Sequence, residues 1–324
     1  MPDETWPRVA VLGAGAVGCY FGGLLARAGA PVTLIGRSRH VEALQRDGLW
    51  LESLRFQGRV PVVASVAVEA ARDAAVVLFC VKTLDTDEAA KALAPHLGPN
   101  TVVLSLQNGV DNVERIRAAG GFEALPAVVY VAAAMTGPGR VKHTGRGDLI
   151  VGGPRGGRRD ELERLAALFA RAGVPCTVSD DVRAELWTKM SMNCAYNAVS
   201  ALGRAKYGRV AQHPHAREVL RRAVEETAAV ARAAGVHLPE AKLVEAAFRL
   251  GEAMSEATSS TAQDIHRGKR TEIDSLNGYV ARRGAEFGVD TPVNQTLHAL
   301  VKLLEEAERA GDPAARAPVR APNG

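Results

Sequence analysis

The stretch Arg8-Val9-Ala10-Val11-Leu12-Gly13-Ala14-Gly15-Ala16-Val17-Gly18 decides the fold of this 324-residue chain. An apolar run precedes the glycine spacing G-x-G-x-x-G, and an Ala-rich helical stretch that extends to Ala28 follows it. A buried strand, a glycine turn and a helix in this order form the phosphate-binding turn of a dinucleotide fold. The sequence therefore predicts a dinucleotide-binding domain at the start of the chain.

Each glycine of this turn has a mechanical task. Gly13 makes the tight turn, Gly15 lets the backbone approach the pyrophosphate, and Gly18 permits close packing of the helix on the strand. The N-terminus of the helix then faces the phosphate charge. The alternative is a glycine-rich packing turn that binds nothing. The predicted cofactor-binding residues of the turn are Gly13, Ala14, Gly15, Ala16, Val17 and Gly18.

The first half of the chain alternates short β-branched runs with Ala-rich amphipathic stretches, which is typical of β-α-β units around a buried parallel sheet. The predicted strands are Val9 to Leu12, Val32 to Ile35, Val76 to Val81, Val102 to Leu106, Ala127 to Val131 and Leu149 to Val151. The predicted helices between them include Ala16 to Ala28, Ser38 to Arg46 and Thr86 to Ala94.

After Val178 the strand runs vanish and a 3.6-residue periodicity dominates. The predicted helices are Asp181 to Leu202, His215 to Ala234, Pro239 to Met254, Ser275 to Phe287 and Val293 to Ala310, the last with Thr291 as N-cap. We predict an α/β fold with a Rossmann-like, mostly parallel NADP-binding domain over residues 1–178. An all-helical substrate and catalytic domain spans residues 179–310, and a disordered Pro-rich tail spans residues 311–324.

The composition excludes several classes of function. Hydrophobic residues make up 47% of the chain, charged residues 23% and aromatic residues only 5%, and the net charge is +4 with scattered arginines. A chain with no polybasic arm and few aromatic platforms is not expected to bind nucleic acid. The small positive excess suits an anionic small molecule.

The four cysteines, Cys19, Cys80, Cys176 and Cys194, are widely spaced and include no C-x-x-C pair. We therefore expect reduced thiols in a cytoplasmic protein, with neither a zinc site nor disulfide bonds. The uncharged stretch from Val9 to Ala26 contains five glycines, which argues against a membrane helix or a signal peptide. We expect a soluble, unprocessed protein without membrane contact.

The end of the second predicted strand indicates which dinucleotide binds. The sequence there is Ile35-Gly36-Arg37-Ser38-Arg39 and contains no acidic residue. A site for NAD usually places Asp or Glu here to bind the ribose 2′-hydroxyl, whereas arginine suits the 2′-phosphate of NADP. We predict NADPH as the cofactor and Arg37 as one of its ligands. The alternative is that Arg37 and Arg39 only solvate the start of a helix.

Polar side chains follow two further predicted strands. Lys82 ends the run that begins at Val76, and Asn108 follows the run that begins at Val102. Ligands of open α/β sheets bind at the carboxyl ends of the strands, so both residues are candidates for contact with cofactor and substrate. Ordinary turn chemistry explains either residue equally well, since Asn-Gly is a frequent turn pair and a lysine reaches water easily.

The long helix after Asp181 carries one polar stripe. Lys189, Asn193 and Asn197 recur at every fourth residue, and no charged residue occurs between Met190 and Leu202. An uncharged helix is expected to be buried, and buried amides beside an ammonium group need hydrogen-bond partners. A polar substrate would supply these partners. An internally satisfied hydrogen-bond network is the alternative.

A second polar region predicts the other wall of this site. It comprises Ser259-Ser260-Thr261-Ala262-Gln263-Asp264 and Thr271-Glu272-Ile273-Asp274, which we interpret as connections between helices. Ser260 offers a hydroxyl group, and the Glu272 carboxylate is suited to pair with Lys189. A helix start with acidic residues in its first turn is the alternative for the second motif.

These motifs resemble those of the ketopantoate reductase (2-dehydropantoate 2-reductase) family, over the range from about Arg8 to about Glu305. The motifs that carry the resemblance are Gly13 to Gly18, Val81-Lys82, Leu106-Gln107-Asn108-Gly109, Glu185-Leu186-Trp187 with Lys189, Asn193 and Asn197, Ser259-Ser260 with Gln263-Asp264, and Thr271-Glu272-Ile273-Asp274. Their order and spacing together are specific. The resemblance implies a C-terminal domain of the 6-phosphogluconate dehydrogenase C-terminal type.

The resemblance also implies an activity, namely NADPH-dependent reduction of 2-dehydropantoate to (R)-pantoate in pantothenate and coenzyme A biosynthesis. It implies that Lys189 is the general acid and that Glu272 is its partner carboxylate near cofactor and substrate. The positions that match substrate-binding residues are Asn108, Asn193, Asn197 and Ser260, and those that match cofactor-binding residues are Arg37, Lys82, Asn108, Ala134 and Glu272. Monomer and homodimer both stay open.

The sequence departs from the family at Tyr207, where many members carry a further substrate-facing Asn before a glycine. A phenol there reshapes that end of the pocket. A paralogous reductase of a different 2-oxo or 3-oxo acid is therefore an alternative. A third possibility is an NADPH-binding regulatory module without catalysis, in which the loss of Lys189 would change nothing.

Overall fold

Strand β1 (Val9–Leu12) lies inside a ten-stranded, mostly parallel sheet that forms the core of the first half of the chain. The computed structural model describes residues 5–153 and 157–310. The chain folds into two compact units, Met1–Leu186 and Trp187–Gly324. The domain boundary predicted after residue 178 lies just before a long helix, and the division falls within that helix.

The remaining strands are β2 (Val32–Ile35), β3 (Leu49–Glu52), β4 (Gln57–Val60), β5 (Val63–Ser65), β6 (Val76–Phe79), β7 (Val102–Ser105), β8 (Leu125–Gly137), β9 (Arg140–Val151) and β10 (Cys176–Val178). Their order is β4-β3-β9-β8-β7-β6-β1-β2-β5, with β10 paired to β9. Among the strand pairs of the described residues, only β3–β4 and β8–β9 are antiparallel. The predicted α/β class with a mostly parallel sheet is confirmed.

The helices of the first unit are α1 (Ala16–Arg27), α2 (Ser38–Asp47), α3 (Thr86–Leu93), α4 (Asn112–Gly120) and α5 (Arg159–Arg171). Side chains of β1 alternate between two apolar layers, because Val9 and Val11 pack with Phe21 in one cluster while Ala10 and Leu12 pack in another. Burial on both faces explains why this strand is a continuous apolar run. It also fixes the position of the glycine turn that follows it.

The second half of the chain contains α6 (Val182–Leu202), α7 (Tyr207–Gln212), α8 (Pro214–Ala233), α9 (Glu240–Ala253), α10 (Ser260–His266), α11 (Asn277–Phe287) and α12 (Pro292–Ala310). No strand occurs in the described residues after Val178, so the predicted all-helical half is confirmed there. Among those residues, no helix combines the length and the apolar character needed to cross a bilayer. The predicted tail over residues 311–324 lies outside the described residues.

Two expectations about the second half are wrong. The stretch around Ser260 is not a connection between helices but helix α10, capped by Ser259, whose hydroxyl accepts the Ala262 N–H at 3.0 Å. Thr291 does stand at the predicted N-cap position immediately before α12, but its hydroxyl has no hydrogen-bond partner among the described residues and so does not cap the helix. Glu226 takes that task instead, because its carboxylate accepts N–H groups at the start of α12.

Candidate functional site

The glycine turn has the geometry that its spacing predicts. Gly13 has a φ of +104°, and a Cβ there would lie 2.6 Å from the backbone of Cys80. A Cβ on Gly18 would lie 2.3 Å from the Gly13 carbonyl oxygen, so helix and strand approach too closely for any side chain. A Cβ on Gly15 would meet no atom within 4 Å. Gly15 therefore leaves room for a ligand beside the backbone.

The N-terminus of α1 suits an anion. Gly15 is its N-cap residue, no side chain in the described part of the chain caps it, and the first turn holds no acidic residue. The first N–H groups of a helix have no partner within it, so those of Ala16 and Val17 are available to a bound anion. The Ala14 amide is used internally, because it donates to the Ile35 carbonyl at 2.9 Å. These residues fit the pyrophosphate of a dinucleotide.

A chain of hydrogen bonds holds the glycine turn that follows β1. The Gly139 N–H donates to His40 Nδ1 at 2.8 Å, and His40 Nε2 lies 3.3 Å from Cys19 Sγ. The thiol lies 3.4 Å from the Ala14 carbonyl oxygen, to which it donates. Burial raises the pKa of Cys19 to about 12 and lowers the pKa of His40. A neutral imidazole and a protonated thiol therefore connect the β8–β9 turn to the phosphate loop.

Arg37 lies between β2 and α2 with its side chain 95% exposed. Its guanidinium group lies 3.8 Å from the carboxylate of Asp85, in the short 3₁₀ turn Thr83–Asp85 after β6. Sequence reasoning missed Asp85, because the contact joins two loops that are far apart along the chain. An exposed pair at this distance is weak, so the guanidinium is free to bind another anion.

The loops that carry Lys82 and Asn108 are held together at neighbouring strand ends. The Thr83 hydroxyl donates to the Asn108 carbonyl at 2.8 Å. Gln107, which sequence reasoning passed over, donates from Nε2 to the Val81 carbonyl at 3.1 Å and accepts the Ser105 hydroxyl at 2.9 Å. The structure thus brings Lys82 and Asn108 to one edge of the sheet, as their positions after β6 and β7 imply. Their binding roles stay predictions.

Ala134 lies on β8, where it pairs with Lys142 of β9. It is partly buried. No contact in the structure decides its predicted role toward the cofactor, and that role stays a prediction.

The polar stripe of α6 is present, and most of the helix after Met190 is buried. Lys189 and Asn193 are partly exposed, whereas Asn197 is only 3% exposed. Asn197 Nδ2 donates to the Ser260 hydroxyl at 3.5 Å, which joins two residues predicted to bind substrate. The sequence-predicted wall around α10 and the stripe of α6 therefore meet at Asn197.

Ser259 was predicted as part of the second polar wall but given no role of its own, and in the structure it ties α10 to α6. Its hydroxyl donates to the Asn197 carbonyl at 3.0 Å and caps α10 at the same time. Because the two serines are adjacent and both are good N-cap residues, the sequence does not show which of them caps α10. The signal that was available is the helix N-cap preference of serine.

Glu272 is partly exposed and precedes the 3₁₀ turn Ile273–Ser275. This turn packs against α6, since Ile273 shares an apolar cluster with Ala198 and the Asn277 side chain donates to the Cys194 carbonyl at 3.0 Å. Glu272 and Lys189 thus belong to the same unit. Their direct pairing stays a prediction.

Comparison with known proteins decides the family. The sequence pattern described as "Ketopantoate reductase PanE/ApbA" matches residues 9–156, and the pattern described as "Ketopantoate reductase PanE/ApbA C terminal" matches residues 181–305. The chain belongs to the ketopantoate reductase family.

A relative in this family is the 2-dehydropantoate 2-reductase of Pyrococcus horikoshii, which is 34% identical over 298 residues, 92% of this chain and 97% of that protein. The crystal structure of a PanE/ApbA family ketopantoate reductase from Ralstonia eutropha JMP134 is 49% identical with a TM-score of 0.87, covering 93% and 99% of the two chains. D-mandelate dehydrogenase, solved with NADH and anilino(oxo)acetate, has a TM-score of 0.88 at 23% identity over 93% and 99% of the chains. That likeness is one of fold.

Tyr207 occupies the position at which the family resemblance leads us to expect an asparagine. Its hydroxyl donates to Asn197 Oδ1 at 3.3 Å, and its ring lies 4.4 Å from that of Tyr196. Burial raises the pKa of Tyr207 far above its usual range, so the phenol stays protonated. Both ends of the Asn197 amide are therefore engaged, one by Tyr207 and one by Ser260. The phenol orients a predicted substrate-binding residue.

Proposed function

We propose that the chain catalyses the NADPH-dependent reduction of 2-dehydropantoate to (R)-pantoate, as a cytoplasmic enzyme of pantothenate biosynthesis. The observation that carries this proposal is the ketopantoate reductase match over both halves of the chain, residues 9–156 and 181–305. The polar stripe of α6 supports it, because Lys189, Asn193 and Asn197 supply the ammonium and amide groups that a 2-oxo acid needs.

The first unit is suited to a nicotinamide dinucleotide. The space beside Gly15 and the uncapped N-terminus of α1 fit a pyrophosphate. Arg37 favours the phosphorylated form, since its guanidinium matches a phosphate and no acidic side chain ends β2. When bound, NADPH supplies the hydride for the ketone carbon.

We assign the remaining chemistry to residues of the second half. Hydride addition leaves negative charge on the ketone oxygen, and the Lys189 ammonium group stabilises that charge and then gives up a proton from Nζ. Asn193, Asn197 and the Ser260 hydroxyl bind the polar groups of the substrate. The Glu272 carboxylate holds the ammonium group in place. Tyr207 and Ser259 support this set by fixing Asn197.

A second candidate is a reductase of a different 2-oxo or 3-oxo acid by the same mechanism. Tyr207 favours keeping it, because the phenol that contacts Asn197 replaces an amide that many family members carry. A larger or more apolar substrate tail would suit a ring at this position better than 2-dehydropantoate does. Only the substrate differs between the two candidates.

The test is oxidation of NADPH by the purified protein, offered 2-dehydropantoate beside a panel of other 2-oxo and 3-oxo acids. We expect the highest kcat/KM with 2-dehydropantoate. Turnover with another acid alone would move the chain to the second candidate.

Replacing the proposed acid separates catalysis from binding. We expect Lys189→Ala to lower kcat about a hundredfold or more, the usual scale for a general acid. The matched control is Lys242→Ala, which removes an exposed lysine of α9 and is expected to leave kcat unchanged. Near-native turnover of the Lys189 variant would refute its role as the general acid, whereas no turnover of any acid by the wild-type protein would favour a cofactor-binding module without catalysis.

A further inference from the structure

Helix α12 contacts the short segment of residues 271–274, which contains Glu272. Glu305, on α12, is only 4% exposed, and its Oε1 accepts the Thr271 N–H at 2.6 Å. The other carboxylate oxygen lies 3.3 Å from Lys302 Nζ and 3.6 Å from Arg309 Nη2. The buried Glu305 carboxylate thus holds the backbone of Thr271, the residue immediately before Glu272.

The same helix also holds the residue two positions after Glu272. His298 Nε2 donates to Asp274 Oδ1 at 2.7 Å, and Lys302 Nζ donates to Asp274 Oδ2 at 2.9 Å. Burial alone would raise the pKa of Asp274, but these two hydrogen bonds outweigh it and lower the pKa. Both oxygens of the carboxylate are therefore fixed by α12.

The backbone between these two contacts has its own hydrogen bonds. The Thr271 hydroxyl accepts the Ile273 N–H at 3.2 Å, and the Glu272 carbonyl accepts the Ser275 N–H at 2.9 Å. The Ile273 side chain is fully buried. Little freedom is left to the backbone of Glu272 once α12 is in place.

The three anchoring side chains lie on one face of α12. His298, Lys302 and Glu305 are spaced by four and three residues, which places them along one side of a helix. A buried charged group is a costly way to attach a helix, because apolar packing stabilises at least as well. A carboxylate, unlike apolar packing, fixes the position of one particular backbone N–H group, because it accepts a hydrogen bond from that group.

We propose that α12 is a positioning element for Glu272, with Glu305 as the principal positioning residue. Glu305 acts through the Thr271 backbone, and His298 with Lys302 acts through Asp274. The inference rests on the proposed function, because it takes the Glu272 carboxylate to act in the reduction.

The test is a double-mutant cycle with Glu305→Ala, Glu272→Gln and the double variant. We expect Glu305→Ala to lower kcat about tenfold, the scale expected when a buried N–H loses a charged acceptor. In the Glu272→Gln background, the same change should cost nothing further, because the group that Glu305 positions is already gone. A purely structural role would lower kcat by the same factor in both backgrounds.

Two further variants test whether the loss of kcat comes from the missing hydrogen bond to the Thr271 N–H. Glu305→Gln keeps an oxygen for the Thr271 N–H and should restore most of kcat. Glu306→Ala, an exposed neighbour on α12, is the control and should leave kcat and KM unchanged. If Glu305→Ala does not fold, Lys302→Met enters the cycle in its place, since it releases Asp274 Oδ2 and leaves the Glu305–Thr271 bond.

The outcomes separate this inference from the proposed function. Equal losses in both backgrounds, or no loss from Glu305→Ala in either, overturn the positioning role while Glu272 keeps its own. Wild-type turnover of Glu272→Gln overturns the assignment of Glu272 in the proposed function, and the positioning role with it. A loss confined to the Glu272 background supports both.

Discussion

Substituting Tyr207 by phenylalanine removes one hydroxyl group and leaves the ring in place. In the wild-type chain this hydroxyl donates to Asn197 Oδ1 at 3.3 Å, and Asn197 is 3% exposed. The ring contact with Tyr196 at 4.4 Å is retained. The variant therefore tests whether the phenol orients the amide that we expect to bind substrate.

The size of the effect follows from the geometry of this bond. Leaving a buried acceptor without its donor costs about 1–3 kcal/mol, and a 3.3 Å bond is at the long end of the range, so we take about 1 kcal/mol. That corresponds to about a fivefold change in an equilibrium constant. We expect KM for the 2-oxo acid to rise about fivefold, with kcat nearly unchanged. The size of this rise should be the same at every pH, because the phenol stays protonated.

Steady-state kinetics under saturating NADPH measure this change, and Tyr196→Phe is the matched control. The Tyr196 hydroxyl donates to the Ala247 carbonyl at 2.7 Å, away from Asn197. We expect the control to lose a similar amount of stability in urea unfolding and to keep its KM. An unchanged KM in Tyr207→Phe, or an equal rise in both variants, would refute the idea that Tyr207 orients Asn197.

Three other predictions concern the first unit. Asp85→Asn should raise the ratio of kcat/KM with NADPH to kcat/KM with NADH about two- to fivefold, because it removes a weak, exposed competitor for Arg37. Arg37→Asp should lower the same ratio. If neither substitution changes the ratio, Arg37 does not bind the 2′-phosphate. Gly15→Ala should fold normally but bind NADPH weakly. Gly18→Ala should lose thermal stability, since its Cβ would lie 2.3 Å from a carbonyl oxygen. Equal melting temperatures of the two variants would contradict this expected difference in stability. Burial lowers the pKa of His40 from 6.5, so the unfolded chain binds the proton more readily and stability should fall as pH drops below about 6.5; His40→Gln should flatten this slope in urea titrations.

Strands that are buried on both faces could be predicted from the sequence, whereas strands with an exposed face were missed or found only in part. The run at β1 is apolar at every position because it has two buried faces. Strand β4, in contrast, reads Gln57-Gly58-Arg59-Val60 and buries only its last residue. Strand β9 carries Lys142, His143, Arg146 and Asp148, so only its last three residues, Leu149 to Val151, form the apolar run that predicts a strand. Its pairing with β8 depends on tertiary contacts.

The candidate site divides in the same way. Lys189, Asn193 and Asn197 could be found because local spacing places them along one side of α6. Tyr207 was recognised as unusual, but its bond to Asn197 depends on how α7 packs against α6. Asp85 could not be found at all. Contacts between residues far apart in sequence leave no periodic signal, and they decide much of how the site is held.

The pairing of β3 with β9 has a consequence for how the chain is made. Trp50 pairs with Arg140, so a strand near the start of the chain stays without this neighbour until residue 140 has been synthesised. Until then β3 presents an open edge, and β8 lacks its long antiparallel partner. Contacts of this range slow folding, and unpaired edges favour association between nascent chains. An expression fragment of the first unit is therefore expected to need β9, which pairs with both β3 and β8.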